Sequence, residues 1–320
     1  MEKVGTDINQ AIQYLELGQL IAIPTETVYG LAANAFDSNA VLSIYKAKNR
    51  PNFNPLIIHT DSIEKLESWG LVLPPKMKKL AAHFSPGPLT YVIPKSNHIP
   101  DIVTAGTNAV AVRIPQHSLT LKLLRKLNFP LAAPSANPSG YVSPTKAIHV
   151  LEQLSHKVSY ILDGGDCSIG LESTIISFLE DTPMILRYGG LAIEEIEKII
   201  GKVNLPTEGF VDNPIAPGQL AKHYATNHKL VVGNPDNYTA TFNPLRMGVI
   251  AFSKTYTQIP LNNQFQLSLT NNLDEAAQEL FSVMRQIDKL DIDMIIAEKF
   301  PDEGLGKAIN DRLKRASVDQ

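Results

Sequence analysis

The chain has 320 residues, 44% of them apolar, and 29 Lys and Arg against 32 Asp and Glu give a formal charge of -3. That length suits two domains and that apolar fraction a substantial core, while the near-neutral charge argues against coating nucleic acid by bulk electrostatics, though not against a local basic cleft. The single cysteine, Cys167, excludes an intramolecular disulfide and a cysteine-built zinc cluster.

Residues Met1, Glu2, Lys3, Val4 and Gly5 carry no apolar signal-peptide core. No run of about 18 apolar residues occurs anywhere, so no membrane span is expected and a cytoplasmic protein is. Asp7 or Thr6 caps a first helix whose Ile8, Ala11, Ile12 and Leu15 share a face, with Gly18 just past its end. Leu20, Ile21, Ala22 and Ile23 then read as a buried strand stopped by Pro24. Further strands are expected over 56–59, 89–93, 109–114, 131–133, 160–162 and 174–178, and helices over 38–48, 62–67, 75–83 and 119–127. Strands and helices mixed in this way indicate an α/β or α+β domain around one large sheet.

From Pro206 the pattern changes: Pro206, Gly209, Pro214, Pro217 and Gly218 occur with few periodic apolar positions, as in a linker. After it come strands over 229–232, 248–252, 265–269 and 294–298 and helices over 273–288 and 305–316, a small Rossmann-like α/β unit. Gly304 and Gly306 have no third glycine, so no dinucleotide site is read there. The expected layout is a first domain over 1–205, a linker over 206–228 and a second domain over 229–320.

The chain has no G-x-x-x-x-G-K-[ST] phosphate loop, no G-x-S-x-G elbow and no H-E-x-x-H helix, and its eight histidines show no ligand-like spacing. What remains is a set of polar residues at the ends of apolar strands. Thr25, Glu26, Thr27 and Tyr29 follow the first strand directly, either as cleft-lining groups for a small polar ligand or as a capped turn. Lys46, Lys48 and Arg50 close a helix, where they suit its dipole; with Asn52 and Asn54 they also make a loop of donors fit for a polyphosphate. Arg113 interrupts an apolar strand, where an unpaired charge is expensive. Either Glu26 or Glu172 pairs with it internally, or it faces a cleft and meets an anion. Ser135, Asn137, Ser139 and Ser143 lie in a tight loop after another short strand, Glu172, Ser173 and Thr174 in a glycine-containing one, and Arg187 again ends a strand. Cys167 has no evident activating base and reads as structural.

Their order is more informative than any one of them. The series P-T-E-T-V-Y-G-L from Pro24, K-x-R-P from Lys48, P-G-P-L-T from Pro86, V-R-I-P from Val112, P-S-A-N-P-S-G from Pro134, S-P-T from Ser143, L-D-G-G from Leu162, G-x-E-S-T from Gly170 and I-L-R from Ile185 resembles the YrdC/Sua5 family. The segment from Ala216 to Ala225 is similar to the Sua5 linker, and Gly304 to Leu313 to the end of the Sua5 C-terminal domain. Tyr188 and Thr226 stand where the family more often has proline, and Gln219 and Leu220 also depart from the usual linker letters.

That resemblance implies a twisted mixed sheet with helices and a large cationic cleft, and synthesis of threonylcarbamoyl-AMP from L-threonine, bicarbonate and ATP with Mg²⁺, for tRNA modification. It implies L-threonine contacts from Thr27, His59, Arg113, Ala133 and Ser173. It implies ATP contacts from Lys48, Arg50, Asn54, Ser135, Asn137, Ser143, Arg187 and Tyr224, with Lys48 and Arg50 as the catalytic cations, Tyr224 as part of a lid, and no metal held by protein ligands. The product would pass to a tRNA threonylcarbamoyl transferase complex, with a possible tRNA contact. Two other readings are a double-stranded RNA or tRNA-binding module using the same cleft, and a carbamoyl-transfer domain like those of hydrogenase maturation proteins. The small aromatic complement weighs against the first, the Sua5-like linker and second domain against the other.

Overall fold

The computed structural model describes residues 3–206, 214–218 and 223–317. The expected linker over 206–228 therefore lies partly outside the described residues, as do Gly209, Gln219, Leu220, Ala221 and Lys222. Ten strands form one mixed sheet: β1 (Val4–Gly5), β2 (Ile21–Ile23), β3 (Gly30–Asn34), β4 (Ile57–His59), β5 (Leu89–Pro94), β6 (Ala109–Arg113), β7 (Leu131–Ala132), β8 (Tyr160–Leu162), β9 (Thr174–Ser177) and β10 (Met184–Arg187). Their spatial order is β1-β8-β2-β3-β7-β4-β6-β5-β9-β10. A separate sheet holds β11 (Lys229–Val232), β12 (Met247–Ala251), β13 (Gln264–Gln266) and β14 (Met294–Ala297) in the order β11-β14-β12-β13, all parallel.

Side-chain caps account for several helix starts. The Asp7 carboxylate accepts from the amides of Asn9 and Gln10, Asp37 from those of Asn39 and Ala40, and Asn272 from those of Asp274 and Glu275, each filling orphan donors of a first turn. The sequence reading omits β1 and β3 and the helices Asp101–Thr104, Ala147–Leu154 and Ile193–Ile200. Strand β3 (Gly30, Leu31, Ala32, Ala33, Asn34) has no β-branched residue, so nothing intrinsic marks it. It is a strand because β2 and β7 pair with it antiparallel on either side.

The two faces of the large sheet are covered differently. Alternate residues such as Leu31, Ile58, Tyr91, Val110 and Val112 enter the main core, with Val41, Ile44, Leu66, Met77 and Leu80 packed there from helices. On the opposite face, Ile21, Ile23 and Ala32 meet the helices Ile8–Glu16 and Ser118–Lys126. Farther along that face Ile57, Val92, Ala109, Ala111 and Ile175 form a patch met by Ile215 and Ala216, from beyond the sheet's last strand. That end of the face is thus covered in part by the chain on its way to the second unit.

The two units share a core. Val28, Val142 and Leu171, from loops of the large sheet, cluster with Tyr224 and with Leu280, Phe281 and Met284 of the helix Leu273–Ile287. Gly170 permits this approach: its φ is +75°, and a Cβ there would fall 2.3 Å from the Gln278 carbonyl oxygen. Gly170→Ala combines a left-handed strain with a backbone collision and should destabilise the protein by about 2 kcal/mol or more. Urea unfolding of that variant beside the wild type checks it; an unchanged midpoint would mean the helix yields freely.

Candidate active site

A row of paired residues crosses the open end of the large sheet. His59 pairs with Leu131 on one side and Arg113 on the other; Arg113 pairs with Thr90, Thr90 with Ile175, and Ile175 with Arg187. Cross-ladder partners share a face, so one histidine, two arginines and a threonine point the same way. Arg187 joins the row through an irregularity: between Ile185 and Arg187 two residues of β10 advance against one of β9, a bulge that re-aims the side chain. The loops after β2 and β7 close over this row. Thr25 Oγ1 ties the first of them, accepting from the Thr27 and Val28 amides and donating to the Val28 carbonyl at 2.6 Å. Gly30 bridges to Ser135 and the Ala136 amide donates to the Tyr29 carbonyl, joining the two loops.

The cations are buried and mostly held by neutral oxygens. Arg113, 4% exposed, pairs with Glu26 at 2.8 Å, donates to Thr27 Oγ1 at 2.9 Å and to the Gly87 carbonyl at 3.3 Å. Both sequence alternatives hold for it: it has an internal carboxylate and it lines the cavity. Arg50 donates to the carbonyls of Asn54 and Pro55. Arg187 donates to the carbonyl and hydroxyl of Ser173 and to the Pro217 carbonyl. Lys48 Nζ donates to the Ser135 carbonyl at 2.5 Å and to that of Asn137. Burial, with Arg187 nearby, lowers Arg50 to a pKa of about 10; burial also takes Arg187 to about 10 and pushes Lys48 well below its ordinary value, Arg50 adding to it. Burial and then Arg113 hold His59 at about 3, and burial holds His223 at about 3, so both rings are neutral at pH 7. Such a site favours an anion, because every cation in it gains from a negative neighbour.

Of the residues expected around L-threonine, His59, Arg113, Ala133 and Ser173 line one cavity, and Thr27 stands behind Arg113. Of those expected around ATP, Arg50, Ser135 and Arg187 line the same cavity. Lys48, Asn54, Asn137 and Ser143 are buried around it, and the Oδ1 atoms of Asn54 and Asn137 have no hydrogen-bond partner among the described residues. Tyr224 stands apart, fully buried and stacked on Phe281 with ring centres 5.3 Å apart.

The cavity also takes in Thr25, one of the candidate cleft-lining groups, together with groups the sequence reading does not assign to it: Pro217, Gly218, His223 and, most notably, Glu172. Glycine is required at position 218, since its φ is +88° and a Cβ would lie 2.7 Å from Arg187 Cδ. Glu172, read as a candidate partner of Arg113, instead pairs with Arg312 at 3.0 Å and accepts from Ser143 Oγ at 2.6 Å. Nothing local to Arg312 reveals that, because the partners are 140 residues apart. Cys167 is buried, and burial with Glu26 nearby pushes its thiol up, which disfavours the thiolate.

Burial raises the Glu172 pKa, but Arg312, Arg187 and the Ser143 hydroxyl outweigh it and bring it from 4.5 to about 2. The stabilisation this confers is complete above pH 4.5 and is lost as pH falls toward 2; it amounts to about 3 kcal/mol. Denaturant unfolding from pH 6 down to pH 2.5 should therefore show a smaller acid-induced loss in Glu172→Gln than in wild type. Parallel curves would mean that other carboxylates carry the acid sensitivity.

Two family profiles match the chain in succession. The Sua5/YciO/YrdC profile, described as telomere recombination, matches residues 13–189, and that of the threonylcarbamoyl-AMP synthase C-terminal domain matches 191–318. The threonylcarbamoyl-AMP synthase of Pyrococcus abyssi is 43% identical over 324 residues, spanning 97% of this chain and 94% of the relative. That of Bacillus subtilis is 40% identical over 321 residues, spanning 97% and 92%. The crystal structure of P. abyssi Sua5 complexed with L-threonine superposes with a TM-score of 0.90 at 41% identity, covering 98% of this chain and 96% of that one. With both profiles in order and the whole fold shared, the chain belongs to the two-domain Sua5 branch of the Sua5/YrdC family.

Proposed function

We propose that this chain is an L-threonylcarbamoyladenylate synthase, a nucleotidyltransferase that makes threonylcarbamoyl-AMP and pyrophosphate from L-threonine, bicarbonate and ATP. The observation that carries the reading is a single cavity joining Arg113, His59, Ala133 and Ser173 to Arg50, Ser135 and Arg187. Full-length relatives at 43% and 40% identity that bear the name threonylcarbamoyl-AMP synthase support it.

In this reading Arg113 meets the threonine carboxylate, held in place by Glu26 and Thr27, and neutral His59, Ser173 and Ala133 frame the side chain. The threonine amine and bicarbonate condense to a carbamate with loss of water. A carbamate oxygen then attacks the α-phosphorus of ATP, and the bond to the bridging oxygen breaks to release pyrophosphate. No protein nucleophile enters. Arg50, Arg187 and Lys48 hold the phosphates and balance their developing charge, with Asn54, Ser135, Asn137 and Ser143 orienting the nucleotide, so catalysis rests on alignment and electrostatics. Tyr224 packs on Phe281 and on His223, the latter a residue lining the cavity.

Mg²⁺ enters with ATP as part of the substrate, held by phosphate oxygens and water. Among the described residues no three His, Cys, Asp or Glu side chains cluster as a cage for it. None of the described helices is long and apolar enough to cross a membrane. We place the protein in the cytoplasm, handing its product to a tRNA threonylcarbamoyl transferase complex for threonylcarbamoyladenosine formation in tRNA.

Purified protein incubated with ATP, Mg²⁺, bicarbonate and L-threonine should yield threonylcarbamoyl-AMP by mass spectrometry, with matching pyrophosphate. Omission of threonine or of bicarbonate should abolish it; product absent from the complete mixture rejects the reading. Arg50→Ala should lower turnover by about 100-fold or more while threonine affinity changes by less than about threefold. An unchanged turnover would remove Arg50 from the catalytic role.

A further inference from the structure

Among the described residues lining the cavity one is a carboxylate, Glu172, in a place the proposed function gives to a polyanion. A free carboxylate there would repel phosphates and draw Arg187 to itself. Glu172 is not free. Its Oε2 pairs with Arg312 Nε at 3.0 Å and its Oε1 accepts from Ser143 Oγ at 2.6 Å. The described hydrogen bonds of Arg187 go instead to Ser173 and Pro217, although Glu172 and Arg187 sense each other's charge. Arg312 lies on the helix Gly306–Ala316 of the second unit, fully buried, its guanidinium 5.3 Å from the Tyr224 ring centre and bound also to Asp311 at 2.8 Å.

The second unit is fixed firmly enough to act through this contact. Arg285 donates to the carbonyls of Val142 and Ser143, gripping the backbone beside the Ser143 hydroxyl. Asp288 accepts from Tyr141 in the same loop and from the Asn227 and His228 amides at the linker's end. Gly170, two residues before Glu172, lies directly under the helix Leu273–Ile287.

We propose that Arg312 is a positioning residue of the active site: it engages the Glu172 carboxylate from the second domain and so keeps it from pairing with Arg187, whose charge stays available to ATP phosphates. The second domain thereby contributes a charge to the nucleotide site. This rests on the nucleotide site proposed above. The requirement for Arg312 is a requirement created by Glu172, and removing Glu172's charge removes it. A residue that merely fills the core would show no such dependence.

The test is a double-mutant cycle in the full chain with Arg312→Met, Glu172→Gln and the double variant, reading MgATP affinity by calorimetry and the KM values of ATP and threonine in the product assay. Arg312→Met should weaken MgATP binding by about tenfold or more, with the threonine KM within about twofold of wild type, and the double variant should recover most of the lost ATP affinity. A double variant that binds ATP no better than Arg312→Met, or equal losses for ATP and threonine, overturns the proposal. Should Arg312→Met fail to fold, Arg312→Lys with and without Glu172→Gln gives the same comparison, and absence of rescue there is equally fatal. A wild-type protein that binds ATP but makes no product rejects the synthase reading, while the calorimetric cycle still decides the role of Arg312.

Discussion

A guanidinium withdrawn from water has to be answered, and this molecule withdraws several into one region. Arg50, Arg113, Arg187 and Arg312, with Lys48, are each at most 8% exposed, and the carboxylates buried among them are Glu26 and Glu172. Glu26 goes to Arg113 and Glu172 to Arg312. Lys48, Arg50 and Arg187 are left with carbonyl and hydroxyl oxygens, which solvate a cation without neutralising it. The depressed pKa values of these three record that deficit. The fold can bear it because the accepting carbonyls are fixed by backbone geometry, and an arriving polyanion relieves it.

That constraint explains why the site draws on so much of the chain. Backbone carbonyls accept from a buried cation only if their segments are held, so the loops carrying Asn54, Ser135, Asn137 and Ser173 must be rigid. Thr25 stitches its own turn, and Gly30 and Ser135 join two loops. Arg285, Asp288 and Arg312 secure the third side from the second unit. A carboxylate paired across that boundary makes the relative placement of the two units an electrostatic matter as well as one of apolar burial around Tyr224 and Phe281.

Much was legible before any coordinates. Apolar runs mark most strands of the large sheet and the parallel strands of the small one, and of the two candidate caps for the first helix, Asp7 and Thr6, it is Asp7 that serves. Strand β3 escaped because its small residues have no intrinsic strand preference. Arg113 announced itself, since a charge amid alternating apolar residues needs either a partner or a ligand, and Glu26 was correctly among the two candidate partners. Glu172 is the other candidate, and choosing between two carboxylates requires distances.

The sequence by itself determined most of the elements, the family and which residue types stand at strand ends, because periodicity, capping and motif order are local properties of the chain. Only the tertiary structure decided which of them meet. Five hydrogen-bonded neighbours, β4, β6, β5, β9 and β10, bring His59, Arg113, Thr90 and Arg187 into one row, and a bulge before Arg187 completes it. Strand order and register are set by which apolar faces bury against which, across separations no window of sequence spans. The pairing of Glu172 with Arg312 belongs to the same class: two ordinary charges, 140 residues apart, made partners by the docking of one domain on another.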